Sequence, residues 1–184
     1  MKKLGFTLAE VLITLVIIGV IAAMTVPTLM NNTQGQENKT AFKKAISSLN
    51  QALTMEFALE GNTAASTDLA EIMRRRTNVI TDADWTGADG GDVTFATADG
   101  IIYSVPNTSG GSCPGEATDG TSIYDQPNCG VGYVDVNGAK GPNVRVTSAT
   151  KPQDQFAFTI FETKVVPGET ADSIEAMVMY DQKD

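Results

Sequence analysis

MKKLGFTLAEVLITLVIIGVIAAMTVPTLMNN, residues 1–32, decides how this chain is organised. Lys2, Lys3 and Gly5 lead into a long apolar run that one carboxylate, Glu10, interrupts near its start. From Val11 to Gln36 no residue is charged. At ~1.5 Å rise per residue, Phe6–Met30 as a helix is roughly 37 Å long, enough for a ~30 Å hydrocarbon core. The segment predicts a membrane-spanning helix with the rest of the chain carried on it.

Glu10 is the odd residue in that helix. A carboxylate at the bilayer centre costs on the order of 3 kcal/mol or more, so it needs a partner or an interfacial position. Were the chain to begin at Phe6, its ammonium would lie four residues back on the same helix face; a snorkelling carboxylate without a role is the plainer reading. A cleaved secretory signal also begins with basic residues before an apolar run. Glu10 itself, the length of the run and the lack of a small-x-small exit argue against it, since Ala22-Ala23-Met24 leads on to Val26 and Leu29. Gly19 and Ala23 form a small-xxx-small pair that lets helices approach closely. Pro27 lacks an N–H, so a kink or local unwinding is expected near Met24–Pro27. Charge counting does not settle topology: Lys2 and Lys3 precede the helix, while Lys39, Lys43 and Lys44 follow it.

The run Gly5-Phe6-Thr7-Leu8-Ala9-Glu10-Val11-Leu12-Ile13 resembles the N-terminal cleavage and methylation motif of type IV prepilins and type II secretion pseudopilins. The resemblance implies that a prepilin peptidase cuts after Gly5 and methylates the new N-terminal Phe6. It also implies that Glu10 pairs with the N-terminus of the adjoining subunit during assembly, and that the N-terminus starts on the cytoplasmic side. A misregistered subunit would leave the Glu10 charge buried and unpaired, so electrostatics would enforce the axial stagger. Three parts follow as expectations: a leader at 1–5, a transmembrane assembly helix at 6–30, and an extracytoplasmic domain at 31–184.

Bulk composition narrows the domain's task. Of 13 basic side chains, Lys2 and Lys3 lie in the leader, leaving 11 against 22 acidic ones, a formal −11. That balance argues against nucleic acid as the main partner, because phosphate contacts need clustered Lys and Arg. The one basic cluster, Arg74-Arg75-Arg76, reads as a solvated helix end or as a contact patch for an acidic neighbouring subunit. The chain has no histidine, GxSxG or phosphate-binding glycine loop, so no catalytic apparatus is visible. Cys113 and Cys129 enclose 15 residues rich in Gly, Pro, Asp, Ser and Thr. Outside the cytoplasm a disulfide would stabilise such a loop by roughly 3 kcal/mol in the chain-entropy model. Two free thiols in a reducing compartment is the other reading, and the anchor ahead of them favours the disulfide.

Beyond a polar joint at Asn31–Asn38, Phe42, Ile46, Leu49, Leu53 and Phe57, with Ala45 and Ala52 alongside, form one apolar stripe on a helix ending at Gly61. A short helix is expected over Leu69–Arg76, with N-caps among Ser66-Thr67-Asp68 and Glu71 placed for a capping box. Val93–Ala98 and Ile101–Val105 flank Asp99-Gly100, the signal of a two-residue hairpin. Gly132–Val136 and Gln155–Phe161 read as strands, Pro167-Gly168 as a turn, and Ala176–Tyr180 as a candidate last strand. The expected fold is α+β and pilin-like: a long N-terminal helix packed on a C-terminal antiparallel sheet.

The segment Asp135-Val136-Asn137-Gly138-Ala139-Lys140-Gly141-Pro142-Asn143, followed by Asp154-Gln155-Phe156, resembles a "DxNGxxxPN … DxF" pattern found in many bacterial prepilin-like proteins. Asp135, Asn137 and Asp154 offer oxygens for Ca²⁺, which the resemblance raises because major pseudopilins bind calcium in a C-terminal loop. The spacing is not that of an EF-hand, and a turn held by Asp and Asn side chains is the alternative. The reading that follows is a non-enzymatic structural subunit of a type IV pilus or type II secretion pseudopilus, a single-pass protein of the inner membrane with an exported domain. Its partners would be other such subunits, the peptidase and the membrane, with no required cofactor. The rival is a membrane-tethered binding module, calcium-dependent or not, that never polymerises.

Overall fold

The computed structural model describes residues 5–83, 92–107, 113, 128–138, 140–145 and 153–168. α1 (Leu8–Glu60) is one helix of 53 residues, followed by α2 (Leu69–Arg76). A six-stranded antiparallel sheet comes next: β1 (Val79–Asp82), β2 (Val93–Thr97), β3 (Ile102–Val105), β4 (Asn128–Asp135), β5 (Gln155–Phe161) and β6 (Val165–Pro167). Strand order follows chain order, so each connection joins antiparallel neighbours. The fold is α+β and pilin-like, as the sequence predicts. The candidate strand Ala176–Tyr180 lies outside the described residues.

The polar joint at 31–38 is helical, and the helix also runs through Pro27 without the expected unwinding. The segment carries no second proline and only one glycine, so nothing in it is strong enough to stop a helix already propagating from both sides. Gly61 stops it, with φ +72 and its N–H donating to Phe57 O at 3.0 Å.

α1 changes character along its length. From Leu8 to Met30 it is apolar on all sides, and none of this stretch is buried by the domain. In the second half, Phe42, Ala45, Ile46, Leu49, Ala52, Leu53 and Glu56 occupy one face, spaced by threes and fours, and all are buried. The stripe therefore differs from expectation at its end: Phe57 is 56% exposed, and Glu56 takes the buried position. Residue 56 continues the centre of the face while residue 57 falls at its flank, and the charge of Glu56 is met by α2.

That face packs on the sheet through Phe95, Tyr103, Val134, Phe156, Phe158 and Ile160. Phe42 stacks on Phe156 at 4.5 Å between ring centroids, and Phe95 on Tyr103 at 5.2 Å. Gly132 lies opposite Phe158 in the β4–β5 register, and a Cβ there would come within 2.5 Å of the Phe158 ring. Two asparagines of α1 join it to the sheet by hydrogen bonds. Asn38 Nδ2 donates to Gln153 O at 2.7 Å, and Asn50 exchanges two bonds of 2.9 Å with the backbone N–H and C=O of Val165. The Asn50 amide thus closes the outer edge of β6, an edge that would otherwise present unpaired backbone groups.

The β2–β3 connection is longer than a two-residue turn. Gly100 N–H donates to Thr97 O at 2.9 Å and Thr97 N–H to Ile101 O at 3.0 Å, leaving a three-residue loop. Gly100 supplies the left-handed φ of +83 that such a loop needs, whereas a type I′ turn would also require a positive φ at Asp99. An ion pair from Lys44 to Asp99, 2.8 Å, sets the hairpin tip against α1. β4 begins earlier than the apolar pattern suggested, because its first residues, Asn128–Gly130, include a bulge. β1 and β6 were not legible as strands at all: both are short edge strands, and Pro167 sits in β6 where only an edge tolerates it.

Candidate functional site

The N-terminal segment is built around a cap. Thr7 has extended backbone angles (φ −79, ψ 151) and Leu8 opens the helix. The Thr7 N–H and hydroxyl both donate to Glu10 Oε2, each at 2.8 Å, and Glu10 N–H donates back to Thr7 Oγ1 at 3.3 Å. This is a reciprocal capping box, and it satisfies donors that a helix start leaves orphaned. The signal for it was in the sequence as Thr7-Leu8-Ala9-Glu10, a T-x-x-E ahead of an apolar run, and sequence reasoning missed it. Phe6 is therefore not on the helix face shared with Glu10, as expected above; it precedes the helix and is 89% exposed. Gly5 has nothing within 4 Å of where a Cβ would stand. Gly5 and Phe6 lie in exposed, non-helical chain. From Phe6 to Met30 the large apolar side chains remain exposed, so this helix is long and apolar enough to cross a membrane.

Cys113 and Cys129 form a disulfide. Cys129 sits in the β4 bulge, between Asn128 opposite Phe161 and Gly130 opposite Ile160, and is buried in the core. Asn128 Oδ1 holds the Gly130 N–H at 2.8 Å, which fixes the bulge. Residues 114–127, which the disulfide encloses, lie outside the described residues.

Asp135, Asn137 and Asp154 come together at the end of β4 and the start of β5. Asp154 Oδ2 accepts from Asn143 N–H at 2.7 Å and Asn137 Nδ2 at 3.1 Å, and its Oδ1 accepts from Val144 N–H at 2.6 Å. Asp135 accepts from Asn137 N–H at 3.2 Å and from Gln155 Nε2 at 3.1 Å. Burial pushes the Asp135 carboxyl above the usual carboxylate range, against the lowering effect of the Gln155 hydrogen bond. Asn137 Oδ1 is buried and has no partner among the described residues.

The basic cluster has a third role, beyond the two expected. Arg76 Nε donates to Glu56 Oε2 at 2.6 Å, Arg75 Nη1 to Glu56 Oε1 at 3.2 Å, and Asn62 Nδ2 to Glu56 Oε1 at 2.9 Å. Arg76 also reaches Glu60 at 2.9 Å, and Arg75 also pairs with Glu71. Two of the three arginines thus turn inward onto a carboxylate that is 0% exposed. Glu71 is engaged by Arg75 and does not complete a capping box; Asp68 alone caps α2, accepting from Ala70 N–H at 3.1 Å. The Asn62 hydrogen bond is the main cause holding the Glu56 carboxyl below its usual range; Arg76 and Arg75 add to it against the opposing effect of burial.

The family described as "Prokaryotic N-terminal methylation motif" matches residues 1–26. The chain is also similar to a "Type II secretion system core protein G" from Pectobacterium carotovorum subsp. carotovorum, 37% identical over 67 residues. That segment is 36% of this chain and 42% of the relative, so the match spans less than half of either protein. No solved structure matches. The chain carries the prepilin-type N-terminal methylation motif on an α+β, pilin-like fold.

Proposed function

We propose that this protein is a structural subunit of a type IV pilus or type II secretion pseudopilus, without enzymatic activity. Residues 1–5 are the leader, cleaved after Gly5 by a prepilin peptidase that methylates Phe6. Residues 6–30 span the inner membrane once and become the filament core; residues 31–184 form the domain outside the cytoplasm. Glu10 is the register-keeping residue, pairing with the freed N-terminus of the neighbouring subunit. One observation carries this reading above the others: the helix from Leu8 to Met30 is apolar on all sides, and its own domain covers none of it. Such a surface needs lipid or other helices around it. Lipid before assembly and like helices after it satisfy that need in turn, and the motif match at residues 1–26 supports a processing step between synthesis and assembly.

Processing is tested by mass spectrometry of the chain purified from cells with an active prepilin peptidase. The expected mass lacks Met1–Gly5 and carries one added methyl on Phe6. A chain that keeps Met1 in those cells refutes the processing step.

A further inference from the structure

We infer that Asp154 is the resident anion of a binding nest formed by its own loop. The end of β4 and the start of β5 are thereby held by an ion-free hydrogen-bonded staple, where the family resemblance would put calcium. Asn143 has a left-handed φ of +54, and the N–H groups of Asn143 and Val144 point at the same carboxylate. Successive backbone N–H groups around a left-handed residue make a concavity that binds anions. The buried Asp154 carboxylate fills it and takes a third N–H from the Asn137 side chain. Charge-assisted bonds of this kind are about twice as strong as neutral ones.

A calcium ion does not fit the same residues. It takes 6–8 oxygens at 2.3–2.6 Å, and here the partial charges that face the carboxylate are the positive ends of N–H dipoles. Both Asp154 oxygens and both Asp135 oxygens already accept from N–H donors. Asn137 turns its amide nitrogen and not its oxygen toward Asp154, and its Oδ1 has no partner among the described residues. The staple also has a place in the fold. Asp154 follows Gln153, whose C=O takes the Asn38 amide, and its own C=O accepts from Val136 N–H at 3.0 Å. It therefore fixes the end of the sheet nearest the apolar stem. The inference stands whether or not the chain polymerises.

The test uses the full chain in detergent, with thermal unfolding and amide exchange measured in EDTA and in millimolar calcium chloride. The Tm should agree within about 1 °C between the two, and the Asn143 and Val144 amides should be protected in EDTA. Asp154→Asn should lower Tm by roughly 5 °C or more in both media. A calcium-dependent shift that survives in Asp154→Asn and Asp135→Asn places the ion elsewhere and agrees with the staple. The inference is overturned if calcium raises the wild-type Tm by several degrees and either variant abolishes the rise. It is also overturned if the two amides exchange freely in EDTA and are protected only by calcium, a readout that needs no variant.

Discussion

Glu10→Leu should leave the chain in the membrane fraction and cut its appearance in sheared filaments by at least about tenfold. The apolar helix needs no carboxylate to stay in lipid, since a leucine is better solvated there than a charge. In the role proposed for Glu10, what the substitution removes is the penalty for wrong pairing. A neighbour out of register leaves a buried charge unmatched, and each ~1.4 kcal/mol of that penalty is a tenfold preference for the correct stagger. The capping box gives a way to separate charge from helix start. Glu10 accepts both Thr7 donors, and a glutamine at the same position keeps an accepting oxygen while losing the charge. Glu10→Gln should therefore preserve the helix start and still assemble poorly. Normal incorporation of Glu10→Leu and Glu10→Gln in a shear-fraction assay would sink the role assigned to the charge.

Glu56→Ala should destabilise the domain by about 3 kcal/mol, the order expected when one partner of a buried ion pair is removed. Glu56 is fully buried and receives Arg75, Arg76 and Asn62. Its loss removes the buried part of the link between the end of α1 and α2 and leaves Arg76 with Glu60 as its partner. The double replacement Glu56→Leu with Arg76→Met should recover much of the loss, because apolar packing can stand in for a buried pair once both charges go. Chemical denaturation of the three proteins decides it; a Glu56→Ala midpoint equal to wild type contradicts the account. The pH dependence follows from the sign of the shift. The folded-state carboxyl sits below its ordinary unfolded value. Its contribution is then fully present above that value and is lost as pH falls through the lower, folded pKa. The acid limb of the stability curve should flatten in Glu56→Ala.

The sequence carried more of the stem than of the sheet. A charge-free run of membrane length is a local signal, and it led to the long apolar N-terminal helix without tertiary information. The Phe42–Leu53 stripe was equally plain because a 3.6 period survives in one dimension. Its end was misread, since hydrophobicity favours Phe57 over Glu56 and only the arrival of Arg75 and Arg76 makes a carboxylate the better core residue. The same fact hid the meaning of Arg74-Arg75-Arg76, whose partner lies about twenty residues back along the chain. β1 and β6 were missed because edge strands of four and three residues depend on their neighbours and not on a pattern of their own. The Asp135–Asp154 segment was legible as a turn or a cation site, with no means of choosing. The direction of the Asn143 and Val144 N–H groups is a backbone property that residue types do not report.

The claim at the centre of this account is that the protein is a filament subunit. Immunodetection of the chain in sheared surface or periplasmic filaments, set against the membrane fraction, tests it most directly. Discrete filaments labelled along their length and lost in a Gly5 variant that blocks cleavage are the predicted result. A chain found only in the membrane, in cells that are making filaments, would contradict it and leave a tethered module in its place.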